Sequence, residues 1–210
     1  MRNFKNFLKF IGICILCILL SACFSGNKYA HIEKKQYLFG FSVPHARGAG
    51  SKTDKPFINV LPVKSDAAFE QNYFLYRVSS GQYLADYYHS FLVSPASQLD
   101  AILPKYIEKT GVFRSAPGEA ISEANFALQT KIIELYADYR DRNHPKGVAS
   151  LQFILTKRDK GKTVVLLDQT WHSSIALKAK NAESLIAAWN NGIESDILMF
   201  LLRLKGLSIL

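Results

Sequence analysis

The chain has 210 residues, with 26 lysines and arginines against 17 aspartates and glutamates, for a formal charge of +9. That length fits a single domain able to bury a core without cross-links. Its three cysteines, Cys14, Cys17 and Cys23, all lie near the N-terminus, which excludes a disulfide framework or a thiolate metal site in the body of the chain.

Arg2, Lys5 and Lys9 form a cationic leader ahead of an uncharged apolar run from Phe10 to Leu20. This is the order of a signal peptide, and the run is short of the roughly 20 apolar residues a spanning helix needs. It ends at Leu20-Ser21-Ala22-Cys23, which resembles the lipobox of bacterial lipoproteins. The resemblance implies cleavage between Ala22 and Cys23, lipidation of the Cys23 thiol, and a mature chain with no free cysteine. Several acyl chains on one residue hold a protein far more firmly than a single chain does. Phe24 stands where an inner-membrane retention signal would place aspartate, so the outer membrane, facing the periplasm, is the expected location, with the inner membrane as the alternative. Loss of Arg2, Lys5 and Lys9 takes the charge from +9 to +6. A solvated basic surface is expected; an anionic lipid surface is the alternative partner, and export argues against nucleic acid.

The organisation follows as residues 1–22 signal peptide, 23–34 lipidated tether and 35–210 folded domain. The tether is short and polar, and about 11 residues reach at most ~36 Å. Gln36 to Phe41 reads as a first strand and Pro44 to Pro56 as a loop rich in Gly, Lys and Ser. Phe57 to Val63, Tyr73 to Val78 and Gln82 to Phe91 carry the aromatic and β-branched residues of consecutive strands. Ser94-Pro95 is a helix start, and Leu99, Ile102, Leu103, Tyr106 and Ile107 recur at helical spacing up to Gly111, a left-handed stop. Pro104 is expected to kink or divide that helix.

Phe126 to Tyr139, Val148 to Thr156 and Thr163 to Leu177 read as three long strands, the last two joined by a charged hairpin tip over residues 157–162. Ala149, Leu151, Phe153 and Leu155 alternate with Ser150 and Gln152, which predicts one buried face. Asn181 caps a closing helix whose apolar stripe runs through Leu185, Trp189, Ile193, Ile197, Phe200, Leu201 and Leu204. The fold class is therefore α/β (α+β), with a mixed or mostly antiparallel sheet and two main helices packed on it.

Chemistry is sparse. Gly48-Ala49-Gly50-Ser51-Lys52-Thr53 lacks the Gly-Lys-Ser/Thr order of a phosphate loop. His31, His45, His89, His144 and His172 show no ligand spacing, so no metal or cofactor is expected. No serine sits in a Gly-x-Ser-x-Gly elbow, and neither Asp86 with His89 nor Asp168 with His172 makes a recognisable constellation. No catalytic residue is assigned and an enzyme is not expected. What remains is aromatic density in the middle strands, from which Tyr87, Tyr88 and Phe91 are taken as candidate partner or lipid contacts.

Tyr87-Tyr88-His89-Ser90-Phe91-Leu92-Val93-Ser94-Pro95-Ala96, followed by the helix and Gly111-Val112-Phe113, resembles the ABC-type transport auxiliary lipoproteins, the PqiC-like group. Together with the lipobox, the tether and the order of strands and helices, the likeness covers nearly the whole mature chain. It implies a non-catalytic docking or bridging lipoprotein working with an ABC permease and a mammalian-cell-entry (MCE) protein, in systems that move phospholipid between the inner and outer membranes. The alternative is an envelope assembly or structural lipoprotein that binds an outer-membrane protein or the cell wall.

Overall fold

The computed structural model describes residues 33–41, 55–115 and 124–207. The expected signal peptide, Ala22, Cys23, Phe24 and most of the Pro44 to Pro56 loop lie outside these residues. One compact unit begins at Lys34.

Among the described residues nine strands form one mixed sheet: β1 (Lys35–Tyr37), β2 (Phe57–Val60), β3 (Lys64–Ser65), β4 (Tyr73–Ser79), β5 (Gln82–Phe91), β6 (Arg114–Ser115), β7 (Phe126–Asp138), β8 (Lys146–Asp159) and β9 (Lys162–Ala176). Two α-helices accompany them among the described residues, α1 (Pro95–Thr110) and α2 (Ala182–Gly206). Strand β7 is the spine. One of its edges carries β8 antiparallel along its length, and β8 pairs with β9 in turn. Along its other edge β2, β3 and β4 follow one another, all parallel to it. Beyond β4 come β5, antiparallel, and β1, parallel.

The helix boundaries follow from local chemistry. Ser94 Oγ accepts from the Ser97 backbone N–H at 3.2 Å, Pro95 opens α1, and Gly111 closes it at φ +72°. Asn181 Oδ1 accepts from the Ser184 N–H at 2.9 Å to cap α2. Pro104 does not divide α1, contrary to the sequence expectation: the helix is continuous across it. Proline there forfeits only its own bond to the Asp100 carbonyl, while buried Leu103, Tyr106 and Ile107 hold the same turn on the core.

The first strand is shorter than expected and ends at Tyr37. Past it, side chains take over from the ladder: the Phe39 N–H donates to Gln98 Oε1 at 2.7 Å and the Gly40 N–H to Asn190 Oδ1 at 3.2 Å. Likewise β2 stops at Val60, and the Val63 N–H donates to Asp100 Oδ1 at 2.6 Å. The β8–β9 hairpin is tighter than its charge suggests, because Asp159 pairs with Lys162 and only Lys160-Gly161 turns, at φ +46° and +78°.

The core lies between the helices and one sheet face. Phe200 stacks on Phe153 at 4.4 Å, and Trp189 sits edge-on to Phe74 at 5.1 Å. The Trp189 indole N–H donates to the Tyr136 and Val148 carbonyls at 3.2 and 3.1 Å, tying α2 to both β7 and β8. All seven apolar positions of the expected α2 stripe are buried. No helix among the described residues is long and apolar enough to cross a membrane.

Candidate functional site

The β4–β5 pairing breaks its register where the aromatic motif begins. Tyr73 pairs with Ser90 and Leu75 with Ala85, so Phe74 alone lies opposite the four residues Asp86 to His89. The surplus leaves β5 as a wide bulge. Asp86 holds it together. One carboxylate oxygen accepts from the backbone N–H groups of Tyr88 and His89 at 2.7 and 3.1 Å. The other accepts from the Tyr76 hydroxyl at 2.5 Å and meets His89 Nδ1 at 2.7 Å.

Burial disfavours the Asp86 charge, but the bonds from Tyr76, the Tyr88 and His89 backbone and the His89 ring outweigh it and hold the carboxyl below the usual range. The same contact, on top of burial, raises the Tyr76 phenol far above its ordinary value. An ionised Asp86 makes His89 Nδ1 the proton donor.

The bulge separates the three candidate aromatics. Tyr87 is 70% exposed, with Lys34 Nζ 3.9 Å from its ring centre, and Tyr88 stands perpendicular to it at 5.2 Å. Phe91 is not a surface residue: it is 2% exposed and packs on Phe74, Phe39 and Trp189 at 4.9, 5.0 and 5.5 Å. Ladder pairing resumes at Ser90, which returns Phe91 to the core face. Of the three, Tyr87 and Tyr88 are therefore at the surface and Phe91 is in the core.

Beside the bulge a groove of about 450 Å³ runs towards the start of α2, with Val78, Leu84, Tyr76 and Tyr139 on its apolar side and Arg142 and Lys180 among its polar residues. Neither cation makes an ion pair among the described residues, whereas the nearby Arg140 and His144 pair with Asp138 and Asp141. Sequence reasoning missed this groove, because Arg142 and Lys180 belong to separate loops joined only by tertiary structure.

On the opposite side of the sheet, Ser150 Oγ lies 2.6 Å from Glu134 Oε2 and 2.8 Å from His172 Nδ1, and that nitrogen is 3.1 Å from the same carboxylate oxygen. A catalytic relay needs the imidazole to use one nitrogen towards serine and the other towards the acid. Here one nitrogen meets both, which makes a polar staple across β7, β8 and β9. Asp168 bonds Gln152 at 2.7 Å and is not joined to His172. Among the described residues, no three His, Cys, Asp or Glu side chains converge as a metal site.

The fold has solved counterparts. A crystal structure from Xanthomonas campestris, a protein of the DUF330 family, superposes with a TM-score of 0.59 at 11% identity, over 70% of this chain and 81% of that one. An uncharacterized protein superposes with a TM-score of 0.63 at 13% identity, over 82% of this chain and 99% of its own. At such identities the likeness is one of fold. No protein-family model and no curated protein matches the sequence.

Proposed function

We propose that this chain is a lipid-anchored accessory protein of an ABC/MCE-type transporter, held at the outer membrane through Cys23 and docking its partner without chemistry of its own. The observation that carries the reading is the coincidence of motif and geometry. The Tyr87 to Ala96 segment that resembles the transport auxiliary lipoproteins builds the bulge, the outward tyrosine pair and the cap of α1. The shared fold with a DUF330 (PqiC-like) structure supports it, as does the lipobox ahead of a domain that starts at Lys34.

In this reading Tyr87 and Tyr88 are the rigid aromatic anchors of the docking surface, pre-ordered by Asp86 so that little freedom is lost on binding. The bulge also interrupts the part of β5 that β1 leaves uncovered, which discourages indiscriminate strand pairing there.

The test is recovery of the tagged protein from mildly solubilised envelopes, with identification of co-purifying proteins and lipids. An MCE protein, its permease and phospholipid are expected, and Tyr87→Ala with Tyr88→Ala should reduce their recovery at least ~tenfold. Cys23→Ala should abolish outer-membrane fractionation. Recovery of barrel proteins or cell-wall fragments alone would replace this reading with an envelope assembly role.

A further inference from the structure

The C-terminal half of α2 is apolar on both sides. Its inward residues Ile197, Phe200 and Leu204 are fully buried, yet Leu198, Met199 and Leu202 are 48%, 50% and 65% exposed. Two adjoining shallow grooves, of about 170 and 320 Å³, share Leu202. One reaches α1 at Lys109 and includes Lys205; the other reaches β9 at Trp171 and includes Arg203. No acidic side chain lines either groove, and none of the three cations makes an ion pair among the described residues.

Three half-exposed apolar side chains side by side favour an apolar partner over water. Cations at their margin ask for anions, and tryptophan beside leucine, methionine, lysine and arginine is the composition of a surface that sits at a membrane interface. A second copy of the chain docked face to face would bring like charges together, which disfavours it. We infer that this face of α2 rests on an anionic phospholipid surface, with Leu198, Met199 and Leu202 dipping below the headgroups and Lys109, Arg203 and Lys205 meeting their phosphates. The inference stands apart from acylation: it concerns how the domain lies on a bilayer, not what anchors it.

The chain contains two tryptophans, which gives a direct readout. Trp171 lines the face, while Trp189 is 1% exposed in the core. The full chain would be mixed with vesicles of phosphatidylcholine with about one-third phosphatidylglycerol, the acyl chains brominated as short-range quenchers. Roughly half of the total emission should be quenched, and none of that loss should remain in Trp171→Phe. Lys109→Glu with Lys205→Glu should cut the quenching several-fold, as should phosphatidylcholine vesicles alone. Leu202→Asp, at the most exposed of the three apolar positions, should act likewise while leaving the circular dichroism unchanged.

Emission that stays unquenched in protein sedimenting with the vesicles would overturn the inference, since anchoring would then occur with this face turned away. Quenching indifferent to charge reversal would overturn it too. So would a solution dimer in which Trp171 is shielded. Each result is separate from the transporter reading, which is judged by co-purifying proteins.

Discussion

Gly192 of α2 lies directly against Ser173 of β9, so closely that a methyl group added at Gly192 would overlap the serine oxygen and come within 3.2 Å of its Cβ. The helix is thereby drawn onto the outermost strand of the sheet. A second close approach, Gly147 of β8 under Ala188, would bring a new Cβ to 2.8 Å from the alanine methyl. Glycine is unfavourable inside a helix by about 1 kcal/mol relative to alanine, so on propensity alone Gly192→Ala should stabilise. The packing predicts the reverse: a loss of about 1–3 kcal/mol in urea unfolding, as expected for overpacking. Combining it with Ser173→Ala, which deletes the overlapping oxygen, should return part of that loss. A Gly192→Ala variant more stable than the parent would show that the helix stands further from β9.

Lys160 occupies the hairpin turn with φ at +46°, where a side chain with a Cβ is disfavoured, and Gly161 follows at +78°. Asparagine tolerates that region far better than lysine does. Lys160→Asn should therefore raise stability by about 0.5–1 kcal/mol, and a thermal melt is enough to see it. A melting temperature unchanged or lowered would count against the turn geometry.

These two sites mark what the sequence discloses and what it hides. Helix ends were legible almost to the residue, because Ser94, Pro95, Gly111 and Asn181 act through chemistry confined to one turn. The hairpin tip was misread because charge signals exposure and not loop: Lys157 to Asp159 are polar yet fully paired with β9. Register was the larger omission. In β7 the inward parity of Phe126, Leu128, Thr130 and Ile132 switches to Leu135 and Ala137 after an irregularity near Ile133, and the bulge in β5 sends Tyr87 outward and Phe91 inward. Such shifts depend on the partner strand, which a single sequence does not name. The parallel placement of β2, β3 and β4 along β7 is hidden for the same reason. Among the candidate aromatics, local density does not separate the exposed Tyr87 and Tyr88 from the buried Phe91, and the bonds that Asp86 makes across the bulge need the fold.

Asp86 should show its role under acid. Its folded-state carboxyl titrates below the usual range, so the ionised form stabilises the fold at any pH above the ordinary carboxylate value. That contribution is lost as pH falls through the depressed folded value. Asp86→Asn can no longer accept all four bonds and should lose about 1–2 kcal/mol near neutrality. Its stability should then differ less from the parent at pH 3 than at pH 7. In nuclear magnetic resonance spectra the Tyr88 and His89 amides should lose their protection. Retained protection in Asp86→Asn would mean that the bulge orders itself without the carboxylate.

Asp196 predicts the opposite slope. It is 3% exposed in the middle of α2, its Oδ2 has no hydrogen-bond partner among the described residues, and burial pushes its carboxyl up to about 7. Below about pH 4 the group is protonated in both folded and unfolded chains, so it adds no slope there. Between about pH 4 and 7 the folded chain holds a proton that the unfolded chain has released, and stability falls as pH rises through that window. Above 7 both states are ionised and the penalty is complete. Part of the charge is relieved by solvent relaxation, so the cost is on the order of 1–2 kcal/mol, less than the full shift would give. Asp196→Asn should therefore match the parent at pH 4 and exceed it by that amount at pH 8. Urea unfolding at the two pH values decides the matter: equal differences at both would mean that the Asp196 carboxyl titrates as an ordinary surface acid.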